Sequence, residues 1–120
     1  MIKNKIIAID YDGTCTKENT FPNVGELRDG LKLCIDELQK NGNTVILWTC
    51  RHDESLKEAI KLLNDNGIYF DYYNENSSFK IENYGDCRKI GADCYIDDKN
   101  IFMEDINWFH IYRYFKNKDE

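Results

Sequence analysis

The run Ile6-Ile7-Ala8-Ile9 stops abruptly at Asp10-Tyr11-Asp12-Gly13-Thr14. Four consecutive apolar residues, mostly β-branched, read as a short strand buried on both faces, as strands of parallel sheets are. The carboxyl end of such a strand is where open α/β sheets bind ligands. Two carboxylates one residue apart repel each other there unless a cation or a shared proton relieves the charge. The Gly-Thr pair that follows lets the backbone turn sharply. This one feature calls for an α/β sheet and a metal-dependent site with an acidic nucleophile.

The rest of the chain alternates strand and helix signals, as a parallel sheet with right-handed crossovers requires. After a polar loop from Gly13 to Pro22, the residues Val24, Leu27, Leu31, Ile35 and Leu38 fall at helical spacing. Asn23 and Glu26 sit at the capping-box offset, and Gly42 can close this helix in a left-handed turn. Thr44 to Trp48 reads as a second buried strand. Ser55 with Glu58 opens the next helix, whose stripe is Leu56, Ala59, Ile60 and Leu63, and Gly67 closes it. Tyr69 to Tyr73 reads as a third strand. Asn74 to Gly85 reads as irregular and long enough to be a functional loop. Asp86 is expected to cap a short helical turn ended by Gly91. Cys94 to Ile96 makes a fourth strand, and Ile106, Phe109, Tyr112 and Phe115 mark a last amphipathic helix, widened by Trp108 and Ile111.

Composition narrows the function classes. With 120 residues, 42% of them hydrophobic, one domain spanning residues 1–120 is expected. A net charge of −6 argues against nucleic acid as a partner, because a phosphate backbone needs a basic surface. No stretch approaches the ~18 apolar residues of a membrane span. Five cysteines without a CxxC pair point to reduced thiols and a cytoplasmic setting. Trp108, Phe109 and Tyr112 fit either core or a subunit interface, so a homo-oligomer stays open.

Three strands end in chemically useful residues. The first gives Asp10 and Asp12, the second runs into Thr49-Cys50-Arg51, and the fourth into Asp97-Asp98. In a parallel sheet the carboxyl ends share one edge, so these groups converge. Here the residues resemble the haloacid dehalogenase superfamily, with Asp10-Tyr11-Asp12-Gly13-Thr14 as its DxDGT motif, Thr49 as its second motif and Asp97-Asp98 as its fourth. The resemblance implies a Rossmann-like three-layer domain with strand order 5-4-1-2-3. Neither Gly13–Pro22 nor Arg51–Lys89 has room for an inserted cap, so a capless member is expected.

What the resemblance implies about chemistry is a Mg²⁺-dependent phosphohydrolase acting on a small phosphorylated metabolite or nucleotide. Asp10 would be the nucleophile and Asp12 the general acid and base. Mg²⁺ would be held by Asp10, the Asp12 carbonyl and Asp97, with Asp98 a direct ligand or the holder of a bound water. The Thr49 hydroxyl and Cys50 amide would bind a phosphoryl oxygen, and the Gly13 and Thr14 amides could join them. Arg51 is a candidate substrate contact. Lys89 is the candidate third-motif cation, with Lys80 and Arg88 as alternatives. Cys15 and Cys50 read as small fillers, and His52 and His110 as surface or packing residues. Competing readings are a receiver-like domain, a phosphotransferase, or a phosphate-binding domain without turnover. The receiver is disfavoured because its adjacent acidic pair follows the first strand, whereas here that pair comes last.

Overall fold

The computed structural model describes residues 1–103 and 105–118. Its elements are β1 (Ile6–Ile9), α1 (Leu31–Lys40), β2 (Thr44–Leu47), α2 (Asp53–Asp65), β3 (Tyr72–Tyr73), α3 (Ser78–Tyr84), β4 (Cys94–Ile96) and α4 (Trp108–Asn117). All strand pairs are parallel, in the order β3-β2-β1-β4. This is a Rossmann-like α/β sheet, as expected. The expected order is corrected at one edge, because the described residues hold four strands and no fifth beyond β4. After Asp97-Asp98 the chain enters turns and then α4, and no β-branched run remains to extend the sheet.

The central strand β1 lies between β2 and β4, so the chain reverses its winding at this strand. Its register sets Ile9 beside Leu47 on one side and beside Ile96 on the other. Two bonds carry the ladder past the strand ends: Trp48 N–H donates to Ile9 O at 2.8 Å, and Asp10 N–H to Ile96 O at 2.9 Å. Asp10 thus leaves the sheet held from both neighbouring strands.

Both faces of the sheet are covered, but the layers are unequal. One sheet face presents Ile7, Ile9, Val45 and Leu47 to a single core shared with α1, α2 and α4. The alternate residues Ala8 and Ile46 face the other way and meet only Ile90, with Trp48, Tyr72, Ala92 and Tyr95 partly buried around them. Crossovers from β1 to β2 and from β2 to β3 move in the same direction, so both helices fall on one face. The opposite face is left to the connection between β3 and β4.

Several local expectations shift. The first helix starts at Leu31, eight residues after Asn23, because Gly25 (φ 74°) and Gly30 (φ 84°) turn left-handed and Leu27 forms an antiparallel bridge with Thr16. Val24 and Leu27 keep their apolar spacing without being helical. Helix α2 begins at Asp53, and Ser55 is its third residue, exchanging capping bonds with His52. The third strand shrinks to Tyr72–Tyr73 because the Asp71 carboxylate accepts the Val45 N–H at 2.8 Å, and the Tyr69 carbonyl is taken by the Gln39 side chain. Within Asn74–Gly85 the structure forms α3, capped by Ser77, whose hydroxyl accepts the Lys80 N–H. No helical turn forms between Asp86 and Gly91. The Asp86 carboxylate is engaged by the Asn76 side chain instead. Trp108 is core, whereas Phe109 is 43% exposed. No helix is long and apolar enough to cross a membrane among the described residues. All five cysteines are free thiols.

Candidate active site

The carboxyl edge of the sheet gathers Asp10 from β1 and Asp97-Asp98 from β4. One carboxylate oxygen of each of these three lies within 4.8 Å of the others. Partial burial and the charge of Asp97 push the Asp10 carboxyl up to about 7, partly offset by the Thr14 hydroxyl and reinforced by Asp98. The protein therefore concentrates negative charge that it does not itself neutralise. Hard carboxylate oxygens at this spacing suit Mg²⁺ or a similar oxygen-seeking cation.

Thr14 is the hub of the cluster. Its hydroxyl is 3.0 Å from Asp10 Oδ2 and 3.3 Å from Asp98 Oδ1, with one proton to offer between them, and it accepts the Asp98 N–H at 2.9 Å. Trp108 closes the arrangement from below by donating its indole N–H to the Thr14 carbonyl at 2.9 Å. Gly13 is required twice over. Its φ is +83°, and a Cβ there would stand 2.3 Å from Asp98 Oδ2. Arg28 then staples the loop, donating to the carbonyls of Gly13, Thr16 and Ile106, each at 2.9 Å.

Three anticipated contacts are spent inside the protein. The Gly13 N–H donates to Thr16 Oγ1 at 2.9 Å and the Thr14 N–H to Tyr11 O at 3.2 Å, so neither amide is free for an anion. Arg51 is 2% exposed and has all its N–H donors occupied. Its Nε and one Nη2 proton grip both oxygens of Asp12 at 2.8 Å. The remaining protons reach Asn23 O at 2.7 Å, Ser55 O at 3.1 Å and Pro22 O at 3.3 Å. A saturated guanidinium is not a substrate contact. Arg51 instead positions Asp12 and the loop before α1.

Thr49 and Cys50 retain the groups assigned to them. The Thr49 N–H donates to Asn74 Oδ1 at 2.8 Å and its hydroxyl oxygen accepts the Arg51 N–H at 3.2 Å, leaving the hydroxyl proton available. The Cys50 N–H has no partner among the described residues, and Cys50 is exposed rather than a filler. Cys15 is the buried filler, its thiol pushed well up by burial and by Asp10 and Asp12. His52 and His110 are exposed. Asn74, with φ 56°, fixes the turn after β2 from 25 residues away, also donating to Arg51 O at 3.0 Å. Nothing local in the sequence marks it.

A cavity of about 260 Å³ opens on this edge, lined by Asp10, Asp12, Asn19, Phe21, Thr49, Cys50, Arg51, Asp97 and Lys99. A second, of about 500 Å³, lies on the thinly covered sheet face and shares Asp10 and Asp97, with Trp48, Tyr95 and Lys89 among its walls. Lys89 lines this second cavity, its ammonium lying 5.2 Å from the Tyr95 ring centre. Lys80 rests over Tyr84 instead, and Arg88 lines neither cavity. Asn19 and Phe21 belong to the polar loop after Asp12 and Lys99 directly follows Asp97-Asp98, but none of the three carries an individual role in the sequence reading.

No family model matches the chain, and no curated protein matches it. A solved structure of a conserved protein coded by a locus from Bacteroides thetaiotaomicron matches with a TM-score of 0.83 and 32% sequence identity. The match covers 98% of this chain and 94% of that one. The common fold therefore carries the whole sheet and the edge on which the carboxylates meet, and the chain belongs to the same family as that conserved Bacteroides protein.

Proposed function

We propose that the protein is a Mg²⁺-dependent phosphomonoesterase working through an aspartyl-phosphate on Asp10. The observation that carries this reading is the convergence of Asp10, Asp97 and Asp98 oxygens within 4.8 Å, beside a cavity that also holds Asp12, Thr49 and Cys50. Mg²⁺ held by Asp10, Asp97, the Asp12 carbonyl and Asp98, directly or through water, would supply charge neutralisation for a dianionic ester.

The chain's own residues do the remaining work. The Thr49 hydroxyl and Cys50 amide donate to phosphoryl oxygens and orient the ester. An Asp10 oxygen attacks phosphorus as the bond to the ester oxygen breaks, and Asp12 gives that oxygen a proton. Asp12 then takes a proton from water as the water attacks phosphorus, the Asp10–phosphorus bond breaks, and phosphate leaves. To act as acid, Asp12 must carry a proton and release part of the two-point grip of Arg51. As base it accepts the water's proton while Arg51 holds its orientation. Lys89, on the wall of the second cavity, is the candidate cation for the site. The substrate is a small phosphorylated metabolite or nucleotide, and a cytoplasmic location accords with five free thiols.

Hydrolysis of p-nitrophenyl phosphate with and without Mg²⁺ tests the reading. Activity should require the cation and fall by about a thousandfold or more in Asp10→Asn and in Asp12→Asn. Undiminished turnover by Asp10→Asn would reject the nucleophile. Stable phosphorylation of Asp10 without turnover would favour the receiver-like alternative.

A further inference from the structure

Phe21 is a large apolar side chain set at the mouth of the 260 Å³ cavity, and it remains 57% exposed. One side of it is fixed. The Arg51 guanidinium carbon lies 5.1 Å from its ring centre, and Arg51 also donates to the carbonyls of Pro22 and Asn23 immediately after it. The Phe21 N–H donates to Asn19 Oδ1 at 3.2 Å. That leaves the Asn19 NH₂, also on the cavity wall, without a partner among the described residues. The ring is therefore a platform held from behind by the residue that holds Asp12. In the proposed reaction Asp12 marks the side on which the leaving group departs.

We infer that Phe21 and Asn19 form a leaving-group subsite for phosphate monoesters bearing a flat unsaturated ring, as nucleoside monophosphates and aryl phosphates do, in preference to open-chain or simple sugar phosphates. An exposed aromatic face gains by stacking on a π-system, and the arrangement is already ordered before the ligand arrives. Asn19 offers a hydrogen-bond donor to a ring substituent or sugar hydroxyl, and Lys99 supplies positive charge on the same cavity. This inference rests on the phosphomonoesterase reading for the site, and its test separates the two.

Binding of adenosine 5′-monophosphate and of ribose 5-phosphate to the Asp10→Asn protein in Mg²⁺ is measured by calorimetry, which needs no turnover. The nucleotide should bind about fivefold to tenfold more tightly, Phe21→Ala in that background should remove the difference, and Phe21→Trp should keep it. Equal affinities together with no Phe21-dependent preference for an aryl over an alkyl ester, or a preference that survives Phe21→Ala, would overturn the subsite. A parallel comparison of p-nitrophenyl phosphate with glycerol 3-phosphate on the active protein separates ring sources. A Phe21-dependent preference on the aryl ester alone assigns a ring attached directly to the ester oxygen, and on both pairs a ring that includes the nucleobase. Failure of the protein to hydrolyse any ester, with the calorimetric preference intact, would overturn the catalytic reading and leave the subsite standing.

Discussion

Two connecting segments border the carboxylate cluster, residues 11–28 on one side and 74–93 on the other, and they are built differently. The first is anchored at its start and end, with residues 17–23 exposed between. Tyr11, Thr14, Cys15 and Thr16 are wholly buried, and Arg28 and Trp108 tie its backbone to the rest of the chain. The second hangs on few fasteners. Phe79 and Tyr84 are exposed, and Asn76 is its main bolt, donating to Asp86 and Cys87 O and accepting the Gly91 N–H at 2.7 Å. The proposed nucleophile Asp10, the proposed acid Asp12 and the threonine hub stand at the anchored side, whereas the candidate cation Lys89 stands on the loose one. Groups that must keep sub-ångström relations to a reacting atom need a frame with satisfied backbone bonds. A long-range charge tolerates a looser one.

Removing a staple from the anchored segment should do the most damage. Arg28→Ala strands the carbonyls of Gly13, Thr16 and Ile106, and we expect a loss of about 2–4 kcal/mol in urea unfolding. A loss below about 1 kcal/mol would mean that this loop is no better anchored than its counterpart. Next in size is Gly13→Ala. The methyl group collides with the Asp98 carboxylate, and displacing that group by about 1 Å should lower phosphatase activity roughly a hundredfold. Wild-type kinetics in that variant would show that Asp98 has room to spare.

The charge on the anchored side gives a third test. Asp10 is raised to about 7, so below that pH it must surrender a proton before a cation can bind. Apparent Mg²⁺ affinity should therefore climb about tenfold per pH unit up to about 7 and level off above it. The sign for stability is opposite. With a folded pKa above the unfolded one, the metal-free protein binds the extra proton between about 4 and 7 and loses stability as pH rises through that window. Thermal melting from pH 4 to 8 with and without Mg²⁺ should show the metal-free curve falling and the gap widening. A gap independent of pH would contradict the charge cluster.

The smallest effect belongs to the loose side. Asn76→Ala should cost about 1 kcal/mol locally and speed amide exchange across 77–92, with little change in the global midpoint. A cooperative loss of the whole fold would show that this segment is integral to the core.

The positions of β1, β2 and β4, and the carboxylates at the tips of β1 and β4, were legible in the residues because each depends on short-range pattern. An apolar run followed by acids marks a buried strand and its ligand end without reference to anything distant. The start of α1 was misread for a related reason. Val24 and Leu27 keep helical spacing, but Gly25 and Gly30 adopt left-handed turns that the apolar pattern does not register. Asn74–Gly85 was read as irregular because its seven-residue helix buries none of its own residues and so carries no apolar stripe.

What the linear chain determined by itself was therefore chemistry at strand ends: which residues emerge from the sheet, on which edge, and with which functional groups. Tertiary structure alone decided their use. It gave Arg51 to Asp12 across 39 residues, set Asp98 against Thr14 across 84, and brought Trp108 under the loop across 94. A guanidinium or an amide is free or spent only according to what else lies within about 3 Å of it. No pattern along the sequence encodes that distance.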